Sequence, residues 1–294
     1  TMFNDILPQF GIKVKLVDGT DPKAFNAAIT DKTKLVFCET VTNPGLEVTD
    51  IAAIADVAHS HGLPLIVDST FTTPYLERPI EHGADVVVHS LTKFINGSSD
   101  TVAGAVCASA EFIENLKDVN SGLAMLLGQT LDSLRAASIL KNLKTLPIRM
   151  QKHSENAYYL AEQFEKTGYN VTYPGLKSHP QYDLVSNYLT DGIGYGGIMT
   201  VDFGSLDNAN AIMEMMQHQN IGYLAVSLGF YKTLFSASGT STSSEISENE
   251  QKEMGLSEGL VRFSVGLDYD IKQTFEQIQK AIELVEQHKQ PFSF

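Results

Sequence analysis

Three short runs, Leu35-Val36-Phe37-Cys38, Leu65-Ile66-Val67 and Val86-Val87-Val88, are apolar at every position. A strand with one wet face alternates apolar and polar residues, so runs without alternation need cover on both faces. Between the first two runs, Thr49-Asp50 offers an N-cap, and Ile51, Ile54, Ala55, Val57 and Ala58 recur at helical spacing. Gly62 then stands where a helix C-terminus favours glycine. Strand, helix and strand in that order predict an α/β fold, a mostly parallel sheet with helices on both faces. A further strand is expected over residues 101–109, followed by helical patterns to about Leu146.

Pro147 reads as a boundary, giving an α/β unit over residues 1–146 and a smaller α+β unit over 147–294. The second unit should hold a long helix from His153 to Lys166, stopped by Gly168. It should also hold strands near 197–203 and 260–265 and helices near 207–219 and 270–289. Residues 236–250, rich in serine and threonine, read as a mobile linker or as hydroxyls lining a site. The first ten residues look like the interior of a helix.

Thirty-five acidic residues against 21 basic ones give a net charge of −14. Such a surface repels phosphate backbones and anionic lipid, which argues against nucleic-acid and membrane partners. No apolar run reaches the roughly 18 residues of a membrane helix, and the N-terminal residues lack the basic start of a signal peptide. A cytoplasmic protein is expected, with Cys38 and Cys107 as buried, reduced thiols.

Chemistry in a doubly wound sheet gathers at the carboxyl ends of the strands. The first run leads into Glu39 and Asn43-Pro44, the second into Asp68-Ser69-Thr70, and the third into His89-Ser90-Leu91-Thr92-Lys93. An acid, a lysine and hydroxyls therefore converge on one rim. A pyridine-ring electron sink needs such a set: an acid to keep its ring nitrogen protonated, an amine to form an imine, and donors for a phosphate. Taken singly, each residue has a plainer reading as a turn former, a helix cap or a surface charge.

The strings themselves go further. Residues 67–94, VDSTFTTPYLERPIEHGADVVVHSLTKF, closely resemble the signature of the Cys/Met-metabolism enzymes that use pyridoxal 5′-phosphate (PLP), the cystathionine γ-synthase and γ-lyase family. The likeness extends through ETVTNPGLEVTDI (39–51), LKTLPIRMQKHSENA (143–157), AVSLG (225–229) and GLVRFSVGLD (259–268). It implies the PLP-dependent transferase fold of type I, with residues 1–146 as the remainder of a large PLP-binding domain. It implies Lys93 as the Schiff-base lysine, Asp68 as partner of the pyridine nitrogen, and Ser90 and Thr92 as phosphate ligands. Asn43 would lie near the ring hydroxyl and the substrate carboxylate, with Glu39 in support. Arg262 would clamp the α-carboxylate, helped by Ser227.

Finer detail, in Phe94-Ile95-Asn96-Gly97, MLLGQTLDS (125–133), YPGLKSHPQ (173–181) and residues 226–245, is most similar to the plant-type methionine γ-lyase branch. Thr242 would stand for the threonine of a histidine-flanked segment in the more usual branch, and those histidines are absent here. The expected reaction is γ-elimination from a sulfur amino acid, L-methionine first. Cystathionine γ-synthase or γ-lyase chemistry and O-acetylhomoserine sulfhydrylation are the alternatives. The resemblance also implies a homo-oligomer, a dimer of dimers, and an N-terminal segment preceding Thr1, so that this sequence is an excerpt.

Two other classes fit less well. Ser90-x-x-Lys93 with Ser154-Glu155-Asn156 and Lys166-Thr167-Gly168 mimics serine acylase motifs, but those need separate elements and here the last two share one expected helix. A non-catalytic binding protein would have no physical need for Asp68, Lys93 and Arg262 together. The eight histidines show no metal-ligand spacing beyond an isolated His59-x-His61.

Overall fold

The computed structural model describes residues 2–189, 192–238 and 257–289. The chain opens with two helical turns, Met2–Ile6 and Leu7–Phe10. Pro8 stands at the start of the second turn and cannot donate backward into the first, so the expected continuous helix does not form. Helix α1 (Pro22–Ala28) follows, capped by the Asp21 carboxylate. Strand β1 (Val36–Glu39), helix α2 (Ile51–Ser60) and strand β2 (Leu65–Asp68) form a parallel crossover unit.

The Asp50 carboxylate accepts from the Ala53 amide at 3.0 Å and fixes the start of α2. Gly62, at φ +67°, ends it. Short helix α3 (Thr73–Leu76) leads to strand β3 (Val86–Ser90), parallel to β2. Strand β4 (Gly104–Cys107) pairs antiparallel with β3, so the sheet order is β1-β2-β3-β4.

Val36, Cys38, Leu65, Val67 and Val87 pack on Phe25 of α1 and on Ile51, Ile54, Ala55 and Ala58 of α2. Full burial of a side chain such as Ile51 or Ile54 stabilises by about 1.5–3 kcal/mol. The opposite face, with Phe37, Ile66 and Val88, is half-buried rather than sealed. Phe3 meets Phe37 there edge-on, with ring centres 5.1 Å apart. Cys38 is buried as expected, but Cys107 is exposed. The expectation fails because Cys107 ends the antiparallel edge strand, where an apolar sequence run does not guarantee cover.

Helices α4 (Ala110–Lys117), α5 (Leu123–Leu126) and α6 (Ser133–Leu143) precede the long helix α7 (Leu146–Lys166). Helix α7 starts earlier than the expected His153, with Pro147 in its first turn, where a missing amide donor is tolerated. Strand β5 (Asn170–Thr172), helix α8 (Tyr182–Tyr188), strand β6 (Ile198–Asp202) and helix α9 (Leu206–His218) come next. Strands β7 (Tyr223–Leu224), β8 (Leu234–Ala237) and β9 (Leu260–Ser264) and helix α10 (Ile271–Lys289) complete the described chain.

The second sheet has the order β5-β6-β9-β8-β7, antiparallel except for β7 beside β8. Phe164 of α7, Met213 of α9 and Ile278 of α10 share a core with Val201, Val261 and Phe263 of this sheet. Ser236 and Ala237, expected in a linker, belong to β8 and are buried.

A third apolar cluster joins the two sheets. It holds Val41, Leu46 and Val48 after β1, Phe94 after β3, Met150 of α7, Ile198 of β6, and Leu228. This cluster fixes the ends of β1, β2 and β3 against the loop 225–229 and strand β6. Among the described residues no helix is long and apolar enough to cross a membrane.

Candidate active site

The parallel register Cys38–Val67 and Glu39–Asp68 brings the acids of β1 and β2 side by side at the strand ends. Burial pushes the Glu39 carboxyl up to about 7, the neighbouring Asp68 charge adds to this, and the Asn43 amide opposes it. Glu39 is therefore poised between neutral and charged at neutral pH, beside Asp68. The Asp68 carboxylate accepts from the Thr70 amide at 2.9 Å. The Thr70 hydroxyl in turn accepts from the Ser90 amide at 2.8 Å, which ties the β2 turn to the end of β3. A buried row of hydroxyls, Ser69 to Thr72 at 2.9 Å and Thr72 to Thr40 at 3.1 Å, joins the ends of β1 and β2. His89 directs Nδ1 at the Ser69 carbonyl, 3.1 Å away, and burial holds its pKa below the ordinary value. A carbonyl only accepts, so Nδ1 carries the proton.

Lys93 sits in the helical turn Leu91–Ile95, where its own φ of −91° and ψ of −131° break the helical path. Its Nζ donates to the Ser227 hydroxyl at 3.1 Å. Burial lowers the Lys93 pKa, and the nearby Arg262 charge lowers it further. Both effects favour the free amine, the nucleophilic form. Thr92 is turned toward Ala103: its hydroxyl donates to that residue's carbonyl at 3.3 Å and accepts from its amide at 3.0 Å.

Arg262, in β9, is 2% exposed. Its Nη1 donates to the Asn43 side-chain oxygen at 3.1 Å, and Nη2 to the carbonyls of Val226 and Ser227 at 2.9 and 3.0 Å. Nε has no partner among the described residues. Burial alone draws its pKa down to about 10, so the group stays charged at neutral pH. A buried guanidinium resting on neutral acceptors, with one donor orphaned, suits an incoming carboxylate. Of the residues expected from sequence, Lys93, Ser227, Arg262 and Asn43 are brought into one connected network, and Glu39 and Asp68 into a second. Ser90 joins the second through its backbone amide on Thr70, and Thr242 lies outside the described residues.

Sequence reading assigned no role to two residues that shape this site. Gly229 lies on the Lys93–Phe94 peptide: a Cβ there would meet Phe94 N at 2.4 Å and Lys93 C at 2.8 Å. Its amide donates to the Ser264 hydroxyl at 2.9 Å. Arg149 of α7 holds the turn after the lysine, with Nη1 on the Phe94 carbonyl and Nη2 on the carbonyls of Ile95 and Asn142 at 2.9 and 3.1 Å. Both stand inside strings that carried the resemblance, but only a folded chain shows what they touch. Ser154 and Lys166 lie on the single helix α7, which removes the separate elements a serine acylase needs. His59 pairs with Asp85 and His61 with Asn26, and among the described residues no cluster of His, Cys, Asp or Glu could hold a metal ion.

A reactive amine, a strand-end acid pair, hydroxyls at the start of a turn, and a buried guanidinium with an unused donor fit a PLP site. Comparison with known proteins agrees: residues 1–283 match the family described as Cys/Met metabolism PLP-dependent enzyme, and the chain belongs to that family. Pyridoxal phosphate is the cofactor this membership implies. The chain is 40% identical to "Methionine gamma-lyase" of Arabidopsis thaliana over 92% of its own length and 62% of the relative's. It is 40% identical to "L-methionine gamma-lyase" of Porphyromonas gingivalis over 89% and 65%, respectively. It is 38% identical to "Cystathionine gamma-lyase" of Bos taurus over 95% and 68%. The chain thus spans about two thirds of the length of the curated relatives it matches.

Proposed function

We propose that this chain carries the main catalytic residues of a PLP-dependent carbon–sulfur lyase that cleaves L-methionine, with water, to methanethiol, 2-oxobutanoate and ammonia. The observation behind this reading is the connected set Lys93–Ser227–Arg262–Asn43, an amine held beside a carboxylate receptor. The bound cofactor supplies an electron sink for carbanion density at the substrate.

The chain's own residues do the rest. Asp68 would hold the proton on the pyridine nitrogen, with Glu39, raised by burial to about 7, carrying only part of a charge beside it. Ser90 and the turn behind it would hold the phosphate, and Thr92 would join them on releasing the Ala103 carbonyl. Arg262 and Asn43 hold the substrate carboxylate, which fixes the α-carbon near Lys93. Lys93 Nζ then takes the α-proton and returns protons further along the chain, with Ser227 holding the amine between transfers. Thr242 would border the substrate side chain.

Cleavage of cystathionine is the second reading, supported by 38% identity to the bovine cystathionine γ-lyase. Replacement at the γ-carbon, as in a sulfhydrylase, uses the same residues. The type I fold and a homo-oligomer belong to the same proposal. The mostly parallel first sheet supports the fold, and the exposed Leu123, Met125, Leu126 and Leu127 support a partner surface. Purified full-length protein given L-methionine should release 2-oxobutanoate and methanethiol in equal amounts, and Lys93→Ala should abolish both. Absence of both products from the unmodified protein would sink the methionine reading, and the same assay with cystathionine tests the second.

A further inference from the structure

The Asn43 loop, residues 41–48, is a closed unit tied to β1 by the Asn43 amide on the Glu39 carboxyl. A Val41–Val48 bridge closes it, and inside it the Thr42 amide donates to the Glu47 carbonyl at 2.9 Å and the Leu46 amide to the Thr42 carbonyl at 3.1 Å. These bonds set the loop's shape. They do not set where the loop stands relative to Arg262, which needs Asn43 within hydrogen-bond reach.

A second hold on the loop comes from a segment more than a hundred residues away. The Gln181 carboxamide pairs with both main-chain groups of Val48, as a neighbouring strand would: its oxygen accepts from the Val48 amide at 2.8 Å, and its nitrogen donates to the Val48 carbonyl. His179 Nδ1 accepts from the Gln181 amide at 3.2 Å, so the ring proton sits on Nε2, which donates to the Leu46 carbonyl at 3.1 Å. Just past the loop, at the start of α2, the Tyr188 hydroxyl donates to the Asp50 carboxylate and accepts from the Ala52 amide at 3.2 Å, which anchors the loop's exit. Leu46 and Val48 are buried, at 1% and 3% exposure, so water does not replace these bonds once they are lost.

We infer that His179, Gln181 and Tyr188 form a clamp of positioning residues that docks the Asn43 loop onto Arg262 and thereby sets recognition of the substrate carboxylate. The inference rests on the reading of Arg262 and Asn43 as the carboxylate receptor. It assigns specificity for an α-amino acid over a plain amine to residues that touch neither ligand nor cofactor.

The test uses full-length, cofactor-loaded protein and follows the absorbance of the bound chromophore. Two unreactive probes are titrated: glycine, which has the carboxylate, and methylamine, which lacks it. Gln181→Met keeps the side-chain length and loses both bonds, so it should lower the glycine-over-methylamine preference about tenfold, as two neutral hydrogen bonds imply. Asn43→Ala should lower that preference on its own, and adding Gln181→Met to it should change nothing further. Should Gln181→Met fail to fold, Tyr188→Phe removes a single hydroxyl and should give a smaller loss in the same ratio. Equal weakening of both probes, or an unchanged ratio, overturns the clamp while a loss in Asn43→Ala leaves the receptor standing. An unchanged ratio in Asn43→Ala overturns the receptor and the clamp with it.

Discussion

Gly229→Ala puts the proposed geometry under the sharpest strain. The added Cβ would lie 2.4 Å from Phe94 N and 2.8 Å from both Lys93 C and Phe94 Cα, all of them backbone atoms. No side chain can swing aside, so the Lys93 turn must retreat by about 1 Å to reach ordinary contact, a misplacement that can cost roughly 100-fold in rate. The residue also sits at φ +77°, where a side chain adds about 1–2 kcal/mol of strain. Overpacking a tight contact adds about 1–3 kcal/mol more. The turn cannot yield freely, because Arg149 holds the Phe94 and Ile95 carbonyls from the other side. We expect Tm to fall by roughly 5–10 °C and kcat of the folded enzyme to fall about 100-fold. Initial rates at 25 °C, set beside thermal unfolding of the same sample, measure both. Unchanged kcat and Tm would refute the claim that loop 225–229 bears directly on the lysine peptide.

Arg262→Lys should raise KM while sparing much of kcat, since one ammonium cannot reach the Asn43 oxygen and the two loop carbonyls together. A drop of about 10- to 100-fold in kcat/KM matches the loss of one charged hydrogen bond, and an unchanged KM would contradict the carboxylate assignment. Glu39 has a folded pKa raised from 4.5 to about 7, so the native state holds a proton that the unfolded chain releases, and its cost appears as pH rises through that window. Glu39→Gln should therefore stabilise the protein at pH 8, by up to about 3 kcal/mol, and leave it unchanged at pH 4. Thermal unfolding at the two pH values checks the sign.

The α/β character and the strand ends were legible because β1, β2 and β3 are short, unbroken apolar runs with polar residues directly after each. The start and stop of α2 were legible for the same local reason, an Asp50 cap and a glycine that tolerates positive φ. Other features were not. Helix α7, expected from His153, starts at Leu146, because a proline suits a first helical turn as readily as it ends a helix. Cys107 looked buried because an apolar run does not say whether its strand lies at an edge. Arg149 and Gly229 were visible as letters, but neither a guanidinium on the Phe94 carbonyl nor a missing Cβ over Lys93 has a local signature.

Sequence by itself determined the chemistry available, an amine at Lys93, acids at Glu39 and Asp68, and a guanidinium at Arg262, because residue type and strand-end position are local properties. Only the tertiary structure decided which of these meet. Lys93 meets Ser227 across 134 residues, Arg262 meets Asn43 across 219, and Gln181 meets Val48 across 133. Contacts at such separations arise from the packing of two sheets through a shared apolar cluster, and no periodicity within either partner records them.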